Sequence, residues 1–379
     1  MYYVFRFDVN KTVIVRYGAA VAVVVAVAVI LVSFPTTPVP LPSPEQLNAT
    51  GIEVVASNLE VPWAIDFADD GRIFFTERVG SVRVIDDGKL IDEPVFTKEV
   101  ARVSEAGMLG LALDPKFAEN EQIYVYYTYE NDSKLWNRVA KLAKSGSSGY
   151  IEQVLIDNIP ASGIHDGGRI KFGPDEKLYV TTGDSAVPDL AQDKTSLAGK
   201  ILRINSDGSI PSDNPFPDSP VYSYGHRNPQ GLAWHPVTKE LYETEHGPTG
   251  NDEINIIKAG GNYGWPLEQC SKSEFEEYID AIVCYQVSVA PSGATFYSSD
   301  KLPYVNDLFF GTLRGAHVEH VIFESGDVKK FDNFLEGLGR IRDVVEGPDG
   351  YMYIATSNRD GRGEPASDDD KILRISKPR

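Results

Sequence analysis

The chain has 379 residues, 42% hydrophobic and 24% charged, an ordinary globular balance. Its 36 Lys and Arg face 55 Asp and Glu, a net charge of −19 with a pI near 4.8. So acidic a surface repels phosphate backbones and excludes nucleic acid as an expected partner.

Taken in order, the chain opens with a basic segment, residues 1–16, that includes Lys11 and Arg16. An uncharged run of Ala, Val, Ile and Leu follows over 17–34. It is marginal but sufficient to span, since a bilayer needs roughly 17–25 apolar residues. The positive-inside rule places 1–16 in the cytoplasm and the remainder outside. The segment is read as a single-pass membrane anchor, or as a signal segment that leaves a secreted protein if cleaved. Residues 35–50, with the Pro-rich TTPVPLPSP, read as a stiff extended linker.

From residue 51 to 379 one phrase recurs: an apolar half-strand, a turn built on Asp, Gly or Pro, then an aromatic-rich strand. Its six copies are Trp63–Glu77, Leu109–Tyr129, Gly168–Asp184, Gly231–Gly247, Gly293–Thr312 and Ile341–Asn358. Period-2 strands repeated every 45–65 residues, with no long helical periodicity, predict an all-β, six-bladed β-propeller. A pair of β-sandwich domains is the alternative, but it leaves the single repeat spacing unexplained. Ring closure is expected between the first strand, Ile52–Ser57, and the last blade near Lys371–Ile375. The unusual residues follow the same strand of each copy or just precede it, which predicts one site at one mouth of the channel.

Candidate site residues come in chain order too. His165 lies in Gly163-Ile-His-Asp-Gly-Gly-Arg169, where flanking glycines let backbone approach a ligand and neutral imidazole suits a general base. The alternative is a histidine capping a tight turn. The stretch Tyr224–Pro266 is too rich in Gly, Pro, Asn and charge for core packing and reads as loops held over a ligand. Within it the carbonyls of Gly247 and Pro248, the Glu253 carboxylate and the carbonyl of Tyr263 form an oxygen-rich set suited to calcium. Asp252-Glu253 reads alternatively as a solvated turn. His226 and His246 sit in mouth loops, His235 in a turn before Pro, and His317 and His320 on one strand.

In so acidic a chain, Arg227, Arg314, Arg340 and Arg342 all fall at mouth positions. Arg340 and Arg342 project to one face of an extended segment, because strand side chains alternate. Converging guanidinium forks imply an anionic ligand, with surface ion pairs as the alternative. Cys270 and Cys284 are the two cysteines of the chain. Outside the cytoplasm so close a pair favours a disulfide over two buried thiols, closing a loop of about 15 residues for roughly 3 kcal/mol.

Six motifs make the chain recognisable: Gly107-Met-Leu-Gly110, His165-x-x-Gly-Arg169, Gly225-His-Arg-Asn-Pro-Gln-Gly231, Glu245-His-Gly-Pro248, Asn262-Tyr-Gly-Trp-Pro266 and Gly339-Arg-Ile-Arg-Asp343. Together they resemble the pyrroloquinoline-quinone (PQQ)-dependent soluble glucose dehydrogenase and aldose sugar dehydrogenase family, over roughly residues 52–376. The resemblance implies PQQ as the anion and an aldose as substrate, oxidised to the lactone with electrons passed to an external acceptor. His165 then looks like the base that takes the anomeric hydroxyl proton. Arg227 and Asn228 match residues that hold the reacting quinone carbonyl, and Arg340 and Arg342 match a carboxylate-binding pair. Arg314 stands where the family often has Lys.

The resemblance also implies a polarising Ca²⁺ at Gly247 and Pro248, and a structural Ca²⁺ at Glu253 and Tyr263. Two departures stand out. Glu105 replaces a glutamine that contacts cofactor and substrate, and is expected to alter affinity and substrate range. Ile164 replaces an acidic residue beside the base, which leaves His165 without that partner. The alternative functions are a calcium-dependent lactonase-type hydrolase and a non-catalytic extracellular binding propeller.

Overall fold

Each repeated phrase folds into the two inner strands of an antiparallel sheet, and the six sheets are the blades of a propeller. The computed structural model describes residues 51–145, 148–270, 275–324 and 326–377. Strand β1 (Ile52–Ala56) is followed by blade 1, built from β2 (Pro62–Phe67), β3 (Ile73–Glu77), β4 (Ser81–Asp86), β5 (Lys89–Leu90) and β6 (Phe96–Thr97). Blade 2 holds β7 (Met108–Leu113), β8 (Ile123–Asn131), β9 (Lys134–Ser145) and β10 (Ser148–Pro160). Blade 3 holds β11 (Ile170–Phe172), β12 (Leu178–Thr182), β13 (Lys200–Ile204) and β14 (Val221–Tyr224). Blade 4 holds β15 (Pro229–Trp234), β16 (Leu241–Glu245), β17 (Asp252–Ile257) and β18 (Val283–Tyr285).

Blade 5 holds β19 (Pro291–Phe296), β20 (Leu308–Thr312), β21 (His317–Glu324) and β22 (Asp327–Glu336). Blade 6 takes β23 (Ile341–Glu346), β24 (Met352–Thr356) and β25 (Ile372–Ile375) from the C-terminus and β1 from the N-terminus. Ile52 pairs with Ile375 and Val54 with Leu373, so the expected ring closure is the one observed. Helix is confined, among the described residues, to single turns at Phe117–Asn120 and Pro188–Ala191. None is long and apolar enough to cross a membrane. The expected cytoplasmic segment, membrane span and linker, 1–50, lie outside the described residues.

The recurrence of the phrase has a physical cause. In the turns before β3, β12 and β24, Asp70, Asp175 and Asp349 each accept a hydrogen bond from the backbone N–H two residues on. This Asx turn reverses the chain in few residues. Tyr179 and Tyr353 then donate their hydroxyls back to Asp175 and Asp349, which lets a tyrosine stand in a strand with its polar tip satisfied. Strands β3, β12, β20 and β24 are buried along their whole length between neighbouring blades, which is why they read as continuous apolar and aromatic runs.

On the axis, Arg169 donates from Nη1 to Asp343 Oδ2 at 3.0 Å and from Nε to the Gln230 carbonyl. Asp343 also accepts the Ile65 N–H at 2.9 Å, and the Arg169 guanidinium lies over the Trp63 ring at 4.4 Å. These contacts join blades 1, 3, 4 and 6. Gly293 of β19 completes the fit, since a Cβ there would collide with the Asp343 carboxylate. Cys270 and Cys284 form the expected disulfide, with Cα atoms 5.3 Å apart, and tie an insertion to β18.

Breaking the axial pair from one side strands a buried charge, which costs about 3–5 kcal/mol. Asp343→Ala is therefore expected to lose about that much stability in denaturant titrations. The double replacement Arg169→Met with Asp343→Leu should cost less than Asp343→Ala alone.

Candidate active site

A cavity of about 370 Å³ opens at one mouth of the channel. His165, Arg227, Asn228, Gly247, Pro248, Arg314, Arg340, Arg342 and Glu105 all line it, so the structure gathers the predicted ligand-facing set from five blades and their connections. Glu253 and Tyr263 do not line it. They border a neighbouring space of about 10 Å³ together with Glu245, Asn251, Glu268 and Gln269. That space has room for about one water or bare cation; its oxygen atoms suit a hard one, while the Arg227 guanidinium on the same wall opposes it.

His165 adopts a left-handed backbone, φ 59°, a conformation uncommon outside glycine and concentrated at functional sites. The loop holding it is over-determined. Ser185 N–H reaches the His165 carbonyl, Gly167 N–H reaches Asn228 Oδ1, and Asp166 Oδ1 accepts the Ser162 N–H. Gly167 and Gly168 are also left-handed and pack on Gly183 and Leu109. They therefore serve the turn, and the expectation that they bring backbone to a ligand is corrected.

A partner for His165 that the sequence reading did not name comes from elsewhere in the chain. His165 Nδ1 lies 2.7 Å from Asp184 Oδ1, whose other oxygen accepts Trp265 Nε1–H at 2.8 Å. With Ile164 in the acidic neighbour's place, His165 nevertheless has a buried carboxylate to orient it. An Nδ1–H donated to Asp184 leaves the Nε2 lone pair for the cavity. Asp184 was missed in the sequence because it is 19 residues away, although its position just past the second strand of a repeat was a usable signal.

The cationic wall is stronger than expected. Arg78 and Arg362 join the four predicted arginines, against two lining carboxylates, Glu105 and Asp360. Glu105 is held by Arg362 at 2.6 Å and Asp360 by Arg340 Nε at 2.7 Å. Arg227 donates from Nη1 to the Gly247 and His246 carbonyls and stands over Trp265, while Arg342 donates to Gln230. Arg227 Nε, Arg342 Nε and Asn228 Nδ2 are buried donors without a protein partner. Burial pushes the Arg342 guanidinium below its ordinary pKa, which Asp360 only partly offsets. Unsatisfied donors and desolvated cations of this kind fit a planar polyanion.

Of the other histidines, His246 also lines the cavity, with its Nε2 against the Pro291 carbonyl, and His226 faces away from it. His235 caps its turn, and His317 and His320 pair with Glu319 and Asp307. Asp252 and Glu253 are buried, and Asp252 accepts the Gly247, Val289 and Ala290 N–H groups, so the solvated-turn alternative is excluded.

Three comparisons bear on the site. A family model described as Glucose / Sorbosone dehydrogenase matches residues 59–373. The Escherichia coli K12 protein named aldose sugar dehydrogenase YliI is 34% identical over 336 residues, 82% of this chain and 91% of that one. Among solved structures, the PQQ-bound aldose sugar dehydrogenase of Streptomyces coelicolor is 35% identical with TM-score 0.75, over 85% of this chain and 97% of that one. An oxidoreductase described as a glucose dehydrogenase, from Thermus thermophilus, is 41% identical with TM-score 0.80, over 85% and 98%.

Asp166, beside His165, yields a pH prediction. Burial pushes its carboxyl up to about 7, against the opposing hydrogen bonds from Asn137 and Ser162. Its folded pKa exceeds the unfolded value, so the folded state holds an extra proton between about pH 4 and 7 and loses stability as pH rises through that window. Asp166→Asn should leave stability near pH 4 almost unchanged. It should gain on the unsubstituted protein, by up to about 4 kcal/mol, in denaturant titrations at pH 8.

Proposed function

Since the chain belongs to the glucose/sorbosone dehydrogenase family, we propose that it is a PQQ-dependent aldose sugar dehydrogenase, oxidising the anomeric carbon to the lactone. The observation that carries this reading is an imidazole, oriented by Asp184, at the edge of an arginine-lined cavity. When bound, PQQ supplies the hydride acceptor and Ca²⁺ a Lewis acid that polarises it.

The chain's own groups do the rest. His165 Nε2 accepts the anomeric hydroxyl proton, and Asp184 stabilises the imidazolium that results. Arg227 and Asn228 present donors to the developing negative charge on the acceptor. Arg342, Arg340 and Arg314 neutralise its carboxylates, and Arg227 and Trp265 fix the orientation of that wall. The Pro248 carbonyl, and the Gly247 carbonyl through the lone pair not taken by Arg227 Nη1, would hold the Ca²⁺. Glu253 and the Tyr263 carbonyl suit the structural Ca²⁺. Turnover would need an external electron acceptor, and we propose that the reaction takes place outside the cytoplasm, on the membrane if residues 17–34 span it. A hydrolytic lactonase is less well supported, because both cavity carboxylates are already paired with arginines.

Reconstitution of metal-stripped protein with PQQ and Ca²⁺, followed by an aldose, should give the spectrum of the reduced cofactor. An unchanged spectrum would overturn the proposal. His165→Ala should bind PQQ almost normally and lower kcat by roughly 10²–10⁴. Arg342→Gln should weaken PQQ binding by about 1.5–3 kcal/mol in a titration at fixed Ca²⁺. Its melting temperature without cofactor should hold or rise, since burial already disfavours that guanidinium.

A further inference from the structure

Behind the Arg227 wall lies a second cluster that the proposed reaction does not use. His226, Glu243 and Glu245 are all buried, and each offers a ligand atom within 4.8 Å of the others. Asn255 Nδ2 sits among the carboxylates of Glu243, Glu245 and Glu253, at 3.1, 3.3 and 3.2 Å. No Lys or Arg makes an ion pair with these three among the described residues. Anions gathered out of water need a compensating positive charge.

The histidine is arranged as a ligand. His226 Nε2 lies 2.8 Å from Ser223 Oγ, so an Nε2–H donated to the hydroxyl leaves the Nδ1 lone pair free. Outer hydrogen bonds of this kind orient metal-binding imidazoles. His226 Nδ1 and Glu243 Oε1 are both buried without a hydrogen-bond partner. Nδ1 stands 3.5 Å from Glu245 Oε1, long for a hydrogen bond. Two ligands each about 2.1 Å from one ion, at a tetrahedral angle, stand about 3.4 Å apart.

We propose that His226 Nδ1, Glu243 and Glu245 form a buried site for a divalent transition cation of the zinc class. An imidazole with two carboxylates is a borderline donor set, unlike the all-oxygen set expected for Ca²⁺ at Glu253 and Tyr263. The ion links the turn after β14 to β16 and so braces Arg227, whose N–H is held by Glu245 Oε2 at 2.7 Å. The proposal does not depend on the redox reading.

The full chain, stripped with chelator, is reloaded with Zn²⁺ in excess Ca²⁺ and crystallised. Anomalous maps above and below the zinc edge should place a peak about 2.0–2.2 Å from His226 Nδ1 and from Glu243 and Glu245 oxygens. Zn²⁺ at about 100 times its dissociation constant should raise the melting temperature by about 4 °C. Glu243→Gln should lose both that shift and one equivalent of bound zinc. Zinc found only at the Glu253–Tyr263 space, or retained in full by Glu243→Gln, would overturn the proposal, and the cluster would then be carboxyl groups sharing protons. The map on unsubstituted protein decides the matter even if the variant fails to fold.

Discussion

The ion pair between Arg169 and Asp343 crosses the propeller axis and sets the register of everything above it. Arg169 ends the loop that carries His165, and Asp343 follows Arg342 on β23. A single buried contact therefore fixes His165 relative to Arg342 in the cavity wall, although the two come from blades 3 and 6. The Trp63 ring packs against both guanidinium groups, at 4.4 Å from Arg169 and 5.6 Å from Arg342. Desolvated charges held this tightly relax little, which keeps the donors aimed where a ligand's charge will be.

A second chain of contacts builds the side of the cavity. Trp265 donates to Asp184, Asp184 orients His165, and the Trp265 ring faces the Arg227 guanidinium at 5.3 Å. The Asn-Tyr-Gly-Trp-Pro loop is thus a brace for two groups on other blades. Arg227 in turn hangs between the Gly247 carbonyl and the Glu245 carboxylate. Its neighbour His226 faces away from the cavity, stacked on Tyr263 at 4.7 Å, toward the buried acids. One turn therefore presents a cation to the cavity and an imidazole to a separate anionic cluster.

Charge separation on this scale makes chemical sense for a chain of net charge −19. Acidic residues solubilise the exterior, while arginines concentrate where a low-dielectric wall strengthens their field. The carboxylates admitted to the cavity, Glu105 and Asp360, are each neutralised by an arginine. The Glu105–Arg362 bridge joins the connection between blades 1 and 2 to the last loop of blade 6, at the cavity wall.

The sequence alone determined the architecture, because a propeller repeats one turn and one strand pattern at a regular spacing. The Asp70, Asp175 and Asp349 turns, and the tyrosines that answer two of them, are local interactions that any stretch of sequence displays. The arginine wall was equally legible, since Arg340 and Arg342 are two residues apart on a strand and must share a face. Only the tertiary structure decided which groups act on one another. Asp184 reaches His165 across a reversal of 19 residues, Arg362 reaches Glu105 across 257, and Arg169 reaches Asp343 across 174. The β11–β12 hairpin brings the first pair together and the closed ring the other two, and no local pattern encodes which side chains these reversals make neighbours. The same holds for Glu243, which reads as one acidic residue on a strand until burial beside His226 makes it a carboxyl that needs a proton or a cation.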